Sequence, residues 1–483
     1  MRDKNNKGLS AGQLVMLALG TIIGGSFFLG SSAVINAAGP SIILVFILGG
    51  VLVYFILFAL LEMTVANPAA GSFRTYATHA LGRGAGFVVG WIYWSGMVLA
   101  MSSEATAISI LLEEWIPGIS LPLTGSLIII GVTLVNLMGA QKLSKLESGL
   151  AAIKIFAIIS FIAIGALLIF GAFSGNAPAG LGEMVREPFM PGGFTGVIGT
   201  ILIVMFAYAG FEIIGLAASE ARDPDKTIPK AIRNTVFILT GLYILSVFII
   251  LPLVPTAQLN TQISPFVAAL DRHGFGWAGG ALNLVLVSAI LSTMLAAMFG
   301  LGRMMRSLAD EGMAPEWLKD KKDVPYRGII VSGIAMLAAL GVGLLYPAVY
   351  IFLISSGGFA ILVTYVVIMV THMRFRKTNG CPPAGKCRLW GFPYTSIFVL
   401  AVLFIAIGSM PFVAGQISGL IAGAVLLAFF TCIYLLIKTY QKHRSSGTVR
   451  MKNMQLNLNT EISEELDGRD KKDKENQNGQ NED

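Results

Sequence analysis

The feature that most constrains this chain is a series of apolar stretches, each long enough to cross a lipid bilayer as a helix. A spanning helix needs about 20 mostly apolar residues, and the chain is 55% hydrophobic and only 13% charged. A soluble fold of this composition would expose large apolar patches. We therefore predict an all-α membrane protein with twelve transmembrane helices. They lie near residues 12–37, 41–66, 85–114, 121–138, 147–172, 195–219, 232–254, 278–306, 328–346, 348–373, 394–412 and 415–438.

The polar ends and the basic loops predict how the chain is organised and oriented. Residues 1–10 form a short N-terminal segment, residues 11–440 the transmembrane domain, and residues 441–483 a polar tail of the kind that stays disordered. All but three of the 34 Lys and Arg residues fall on the side of the two termini. The exceptions are Arg186 and Arg272 on the other side and Lys154 within a span. Because basic loops face the cytoplasm, we expect both termini there.

The net charge of +7 does not predict a nucleic-acid partner. The basic residues sit in short loops between apolar runs and do not form one basic face. The chain also lacks the sequence motifs of zinc proteases, α/β hydrolases and phosphate-binding loops. We expect no cofactor, no metal site and no enzymatic activity, and we expect the lipid bilayer to be the solvent of the domain.

Two spans carry helix-breaking sequences at corresponding positions. Span 1 reads GTIIGGSFFLG at 20–30, and span 6 reads FAYAGFEIIG at 206–215 with a carboxylate at Glu212. Glycine is about 1 kcal/mol less favourable than alanine inside a helix. Because five spans separate the two breaks, they predict two inverted five-helix halves with a transport site between them. The alternative is that the glycines only allow close packing of helices.

Four stretches carry a resemblance to a known family. They read IGGSFFLG at 23–30 with AGP at 38–40, EMTVANP at 62–68 with GSF at 71–73, GFE at 210–212 with ASEARDP at 218–224 and KTIPKAI at 226–232, and LADEGMAP at 308–315 after Arg303. The chain resembles the amino acid–polyamine–organocation superfamily, and within it the bacterial amino acid transporter family. The resemblance covers residues 8–440.

The resemblance implies a LeuT-type fold in the bacterial inner membrane. This fold has two inverted five-helix repeats plus two C-terminal helices, with the substrate site between spans 1 and 6. Members of the family import amino acids, commonly with a proton. The partners implied are therefore an amino acid and a proton as coupling ion.

A broken helix offers unpaired backbone groups to both ends of an amino acid. We assign the substrate's carboxylate to the backbone N–H groups around Gly24, Gly25 and Ser26, because the start of a half-helix favours an anion. The ammonium is expected at backbone carbonyls. These candidates lie on both broken spans, at Ile22, Ile23, Phe206 and Ala207.

The side chains around the break in span 6 indicate the class of substrate. The resemblance makes Tyr208 and Phe211 gate or pocket residues, and Gly210 completes the expected site. The apparent pocket offers Ala209 and Phe211 and no charged partner for a side chain. We therefore predict a neutral, apolar amino acid. A cationic amino acid or polyamine transporter remains the alternative, since Glu212 is able to hold a basic group.

Four ionisable residues lie at membrane depth, where such groups are costly and often functional. They are Glu62, Glu104, Lys154 and Glu212. The last three are candidates for proton coupling, and the resemblance places Lys154 near the sodium site of sodium-coupled relatives of the fold. Structural roles are the alternative: Glu62 bracing a loop, Glu104 and Glu212 holding helices, and Lys154 extending to the interface.

Three other functions remain open on the sequence. A transporter of the major facilitator type would have two six-helix halves, which would remove the symmetry of the breaks. A transport-inactive amino acid sensor would signal through the tail, although the tail carries no signalling motif. A membrane enzyme would need a catalytic motif.

Overall fold

The computed structural model describes most of the chain. The described residues are 8–67, 69, 71–138, 140–172, 178–216, 221–320, 324–381 and 388–440. The predicted tail at 441–483 lies outside them, as does most of the segment 1–10. Within the described residues the regular elements are all helices, and the only β-pairing is an isolated bridge between Leu9 and Ala221.

Eighteen α-helices follow one another along the described residues. They are α1 (Ala11–Ile22), α2 (Gly25–Phe28), α3 (Gly30–Ala38), α4 (Ile42–Ala66), α5 (Phe73–Leu81), α6 (Arg83–Glu113), α7 (Leu121–Asn136), α8 (Ala140–Phe170), α9 (Gly182–Arg186), α10 (Gly193–Ala207), α11 (Ile213–Leu216), α12 (Pro224–Leu253), α13 (Pro265–Arg272), α14 (Gly276–Asp310), α15 (Tyr326–Gly343), α16 (Val349–Asn379), α17 (Tyr394–Ser409) and α18 (Ile417–Tyr440). The short helices α5, α9 and α13 lie in loops for which the apolar pattern predicts no helix.

Nine helical stretches among the described residues are long and apolar enough to cross a membrane. Three further apolar helices are shorter, namely α1, α7 and α10. Two of these short helices are the first parts of the predicted spans 1 and 6, which are interrupted, and α7 corresponds to the shortest predicted span. The helical, membrane-spanning character of the chain is confirmed, and the count of twelve spans stays a prediction.

Both predicted helix breaks are present. The first span ends at Ile22 and resumes at Gly25, and Gly24 between them is extended. In the sixth span, α10 ends at Ala207 and α11 begins at Ile213. Gly210 in this second break has a φ of +105°, a conformation that residues with a Cβ rarely adopt.

Packing in residues 8–427 brings the two breaks together around long helices. Helix α6 packs along α16 and α14, and α1 contacts α8, α12 and α14. Helix α10 packs against α3, α4 and α16. Both broken spans therefore pack against uninterrupted helices, whose side chains can form hydrogen bonds with the backbone groups that the breaks expose.

The described residues after Leu427 belong to a second unit, separate from residues 8–427. Its described part, residues 428–440, is the last part of α18 and is helical throughout. Its aromatic residues Phe429 and Phe430 contact each other, with ring centroids 5.3 Å apart.

Candidate functional site

A cavity lies where the two broken spans meet. Its volume is about 60 Å³, counted as space for the centre of a water molecule. A single water occupies about 10–15 Å³, so the cavity has room for more than one water-sized group. The wall is formed by Thr21, Ile22, Ser26, Tyr93, Met97, Ala100, Met101, Glu104, Phe206, Ala209, Gly210, Ile213, Thr293, Ala296, Ala297, Gly300 and Leu301.

Helices α6 and α14 complete the wall of the cavity. Of their residues, the site predicted from the sequence included only Glu104. On α6 the lining residues recur at helical spacing from Tyr93 to Glu104, and on α14 from Thr293 to Leu301. Small side chains at Ala100, Ala296 and Gly300 leave the open space. The available signal was a run of small residues on one face of α14, from Thr293 to Gly300; the α6 face is marked in the sequence only by Glu104. These two helices correspond to predicted spans 3 and 8, which are five spans apart, as the broken spans 1 and 6 are.

The break in span 1 is held by the carboxylate of Glu104. The backbone N–H of Gly25 donates to Oε2 of Glu104 at 2.6 Å, and the N–H of Ser26 donates to Oε1 at 3.2 Å. Glu104 is only 3% exposed. Two of the N–H groups that we assigned to a substrate carboxylate therefore have a partner from α6 in this conformation.

Lys154 binds the other end of the same break. Its Nζ donates to the carbonyl oxygens of Gly20 at 2.7 Å and Ile23 at 3.0 Å, and to Oγ1 of Thr293 at 3.1 Å. The residue is fully buried, so the alternative in which its side chain extends to the membrane interface is wrong. The ammonium bridges α8, the end of α1 and α14, and it replaces the hydrogen bonds that the break leaves open.

Glu212 closes the break in span 6 on itself. Its Oε2 accepts a hydrogen bond from the N–H of Gly210 at 2.8 Å, and its Oε1 accepts one from the hydroxyl of Tyr365 at 2.8 Å. The ring of Phe211 stacks on Tyr365 with centroids 5.0 Å apart. Glu212 therefore anchors the unwound segment to α16 and does not line the cavity.

The predicted substrate-binding residues fall into two groups. Ile22, Ser26, Phe206 and Gly210 line the cavity. The others lie behind its wall: Ile23, Gly24, Gly25, Ala207, Tyr208 and Phe211. Residues at a break point in several directions. Some of them therefore face the supporting helices and not the cavity.

Several of the backbone and side-chain groups behind the wall already have partners. The carbonyl of Ala207 accepts a hydrogen bond from the hydroxyl of Tyr243 at 3.0 Å, and the carbonyl of Ile23 accepts from Lys154 and Thr293. Tyr208 is fully buried and donates its hydroxyl to the carbonyl of Phe46 at 2.9 Å. In this conformation Tyr208 is a packing residue between α10 and α4.

A cluster of buried aromatic rings lies next to the break in span 1. Phe27 stacks on Tyr243 with centroids 3.7 Å apart, and Phe28, Phe46 and Phe266 pack around this pair. All five residues are at most 1% exposed. The cluster packs α2 against α4, α12 and α13, and none of its five residues is among those that line the cavity.

The loop between α12 and α14 is fastened to α3 and to the residue that follows α9. Ser32 donates to the carbonyl of Ile263 at 2.9 Å, and Asn36 donates to the carbonyl of Thr256 at 3.1 Å. The carboxylate of Glu187 accepts from the N–H and the hydroxyl of Thr256. Of the residues that line the cavity, Thr21 and Ile213 on the two broken spans are among those that are partly exposed.

Glu62 serves a different purpose, outside the cavity. Its carboxylate accepts two hydrogen bonds from the guanidinium of Arg376, at 2.8 and 2.6 Å, and two from the backbone N–H groups of Arg388 and Leu389. Nε2 of His372 lies 2.7 Å from the same carboxylate. Glu62 therefore braces the loop after α16, which is the structural alternative weighed for it.

A second ion pair joins α5 to the end of α14. Arg74 is fully buried and donates to both carboxylate oxygens of Glu311, each at 2.6 Å, and to the hydroxyl of Ser307 at 2.8 Å. Burial by itself would raise the pKa of Glu311. The hydrogen bonds and the charge of Arg74 outweigh it and hold the pKa of this carboxyl below its ordinary value of 4.5.

Comparison with known proteins assigns the whole arrangement to one family. The family model for amino acid permeases matches residues 13–448. The chain belongs to the amino acid permease family. Membrane-embedded broken helices around a small cavity are consistent with this family, whose members are transporters and not enzymes.

The relatives of this permease include proteins with different named substrates. It is 33% identical to the gamma-aminobutyric acid permease of Bacillus subtilis strain 168, over 88% of this chain and 92% of that protein. It is 31% identical to the gamma-aminobutyric acid permease of Escherichia coli K12, over 90% and 95%. It is also 33% identical to the aromatic amino acid transport protein AroP of Escherichia coli O6:H1, over 78% and 83%.

Proposed function

We propose that this permease imports a neutral amino acid with an apolar side chain, by proton symport and alternating access. The observation that carries the proposal is the chemistry of the cavity wall. Among the described residues no lysine or arginine lines it, and most of the lining residues are apolar or small. An apolar side chain gains free energy by leaving water for such a wall. A charged group on the side chain of the substrate would find only Glu104 as a charged partner among the described residues of the wall.

The size and the relatives support the same class of substrate. A cavity of about 60 Å³ suits a small amino acid such as alanine. Gamma-aminobutyric acid and the aromatic amino acids, named for the relatives, carry no net charge at neutral pH. We therefore expect a zwitterion with no further charged group.

The placement of the carboxylates weighs against the alternative of a cationic amino acid or polyamine. Both oxygens of Glu212 are engaged, by Gly210 and Tyr365, so this residue is not available for a basic side chain. That leaves Glu104 as the acidic residue among those that line the cavity.

Proton coupling is assigned to Lys154, Glu104 and Glu212. Each is buried at the break of a span, where a change of protonation would alter the hydrogen bonds that hold the break. Two broken spans around one cavity support alternating access. With the termini in the cytoplasm, the aromatic cluster around Phe27 would lie on the outer side of the break in span 1.

Uptake into proteoliposomes tests this function. The protein is reconstituted with an acidic exterior, and uptake of labelled alanine is competed with leucine, phenylalanine, gamma-aminobutyric acid, lysine and putrescine. We expect accumulation that a protonophore abolishes, and competition by the net-neutral compounds. Stronger competition by lysine or putrescine would overturn the substrate class. Binding without any uptake would favour a sensor.

A further inference from the structure

The chain's own carboxylate occupies the hydrogen-bond donors that the carboxylate of a substrate needs. The N–H groups of Gly25 and Ser26 each donate to a different oxygen of Glu104. Hydrogen bonds to an ionised carboxylate are about twice as strong as neutral ones. Because both Ser26 and Glu104 line the cavity, this pairing takes place in the wall of the site itself.

None of the described residues that line the cavity is a lysine or an arginine that could pair with a second carboxylate. Lys154 donates to the carbonyls of Gly20 and Ile23 behind the wall and to the hydroxyl of Thr293, which lines the cavity. The hydroxyl of Thr21 donates to carbonyls of its own helix. A substrate carboxylate beside an ionised Glu104 would therefore meet like charge in a poorly hydrated space.

The pairing also leaves no room for both carboxylates at the break. A Cβ placed on Gly25 would lie 2.8 Å from Oε2 of Glu104, and one on Gly24 would lie 3.0 Å from Oε1. The Glu104 carboxylate thus lies flat against the backbone of the break. Any anion that reaches these two N–H groups has to take the position that Glu104 now fills.

We propose that Glu104 is a built-in competitor for the carboxylate of the substrate, and that a substrate takes the N–H groups of Gly25 and Ser26 only when Glu104 gives them up. This inference rests on the proposed function. Glu104 gives them up by accepting a proton from a hydronium ion, which leaves a neutral carboxyl group and water. The substrate's carboxylate then supplies the negative charge that Glu104 has lost.

The exchange of the Glu104 carboxylate for the carboxylate of the substrate changes the net charge at the break very little. The titratable groups within electrostatic reach are Lys154 on α8, Tyr243 on α12 and Tyr350 on α16. The hydroxyl of Tyr350 also donates to the carbonyl of Gly25 at 3.1 Å. One carboxylate beside Lys154 is replaced by another, so proton uptake and substrate binding favour each other reciprocally.

Ligand-induced thermal stabilisation of the purified protein at pH 5.5 and 8.0 tests the competition. The probes are alanine, leucine, phenylalanine, gamma-aminobutyric acid and lysine, with 3-methylbutylamine as the analogue of leucine that lacks a carboxylate. The variant is Glu104→Gln, which keeps the shape of the side chain without its charge. The matched control is Glu114→Gln, at the outer end of the same helix and outside the cavity.

We expect the half-saturating concentration of the best amino acid for the wild type to rise by about tenfold or more between pH 5.5 and 8.0, since linkage to one proton changes affinity by up to tenfold per pH unit. Glu104→Gln should bind that amino acid at pH 8.0 as tightly as the wild type does at pH 5.5, with no pH dependence. Glu114→Gln should follow the wild type. The amine should gain nothing from Glu104→Gln.

Three results would overturn the competition. They are an unchanged pH dependence in Glu104→Gln, an equal gain for 3-methylbutylamine, and the loss of all amino acid binding by a Glu104→Gln protein that unfolds at the wild-type temperature. The proposed function fails differently. If lysine is the best probe and still shows the predicted pH pattern, the competition stands and the neutral substrate class is wrong.

Discussion

At the scale of single residues, the breaks of this permease are held by side chains from straight helices. Glu104 accepts from the N–H side of the first break, and Lys154 donates to its carbonyl side. Two opposite charges thus bind two opposite ends of one interrupted helix. Truncating either side chain would leave buried backbone groups unpaired, which costs about 1–3 kcal/mol for each group.

The first prediction concerns Lys154. In proteoliposomes with an imposed pH gradient, Lys154→Ala should lose proton-driven accumulation of alanine and keep the exchange of internal for external substrate. The reason is that the ammonium links α8 to the carbonyls of Gly20 and Ile23, so its loss uncouples protonation from the break. Lys319→Ala, on a loop residue, is the control and should accumulate alanine normally. Proton-driven accumulation by Lys154→Ala would exclude this residue as the coupling group.

The second prediction concerns Gly25. A Cβ at this position would lie 2.8 Å from Oε2 of Glu104 and 3.0 Å from Cβ of Ala107, closer than such atoms pack. We expect Gly25→Val to abolish the thermal stabilisation by alanine, because the added side chain blocks approach to the N–H groups. Gly131→Val, in a helix position with open space around it, is the control. Wild-type affinity in Gly25→Val would show that the glycine serves packing alone.

At the scale of elements, the interrupted spans depend on their neighbours more than on their own sequences. Helix α2 has four residues, too few to be stable alone, and it is held between α6, α10 and α14. The short helix α5 is likewise held by the pairing of Arg74 with Glu311 on the far end of α14. Pairings between distant elements therefore position the parts of the permease that lack long hydrogen-bonded helices.

The third prediction concerns this ion pair. Glu311→Ala leaves the buried guanidinium of Arg74 unpaired and should lower the free energy of unfolding by about 1–3 kcal/mol, between the values for exposed and buried pairs. A lower unfolding temperature in detergent measures it. Glu316→Gln is the control, because its pairing with Lys319 is long and exposed. An unfolding temperature equal to that of the wild type would mean that Ser307 alone satisfies Arg74.

The pH dependence of the same pair has a definite sign. The pKa of Glu311 lies lower in the folded protein than its ordinary value of 4.5. Its stabilising contribution is therefore complete above pH 4.5 and is lost as the pH falls from there through the lower folded value. The difference in unfolding temperature between the wild type and Glu311→Gln should shrink over that range. A constant difference would contradict the assignment.

At the scale of the whole molecule, the basic residues predict the orientation in the membrane. We expect the loops near residues 183–187 and 255–274 to face outward and both termini to face the cytoplasm, because nearly all Lys and Arg lie on the side of the termini. The fourth prediction is that a cysteine at Asn260, in the outer loop, reacts with an impermeant thiol reagent on intact cells, whereas one at Ser445 reacts only after lysis. The reverse pattern would invert the topology.

The sequence by itself determined the class of fold, the family and the places where two helices break. Apolar stretches of spanning length and glycine pairs act locally, since each depends only on the solvent and on backbone freedom. This is why the ends of α1 and α10 fall at the predicted glycine-containing segments. The same local reasoning placed backbone donors for an anion at Gly25 and Ser26, where the structure has them paired with a carboxylate.

Only the tertiary structure decided which groups occupy that site. The bonds of Glu104 to residues 79 and 78 positions away in the chain, and of Lys154 to Gly20, depend on how α6 and α8 pack against α1 and α2. Tyr208 turned toward α4 and Glu212 toward Tyr365 for the same reason. A break exposes donors and acceptors in every direction, and the neighbouring helices determine which of them face the cavity and which are already bound.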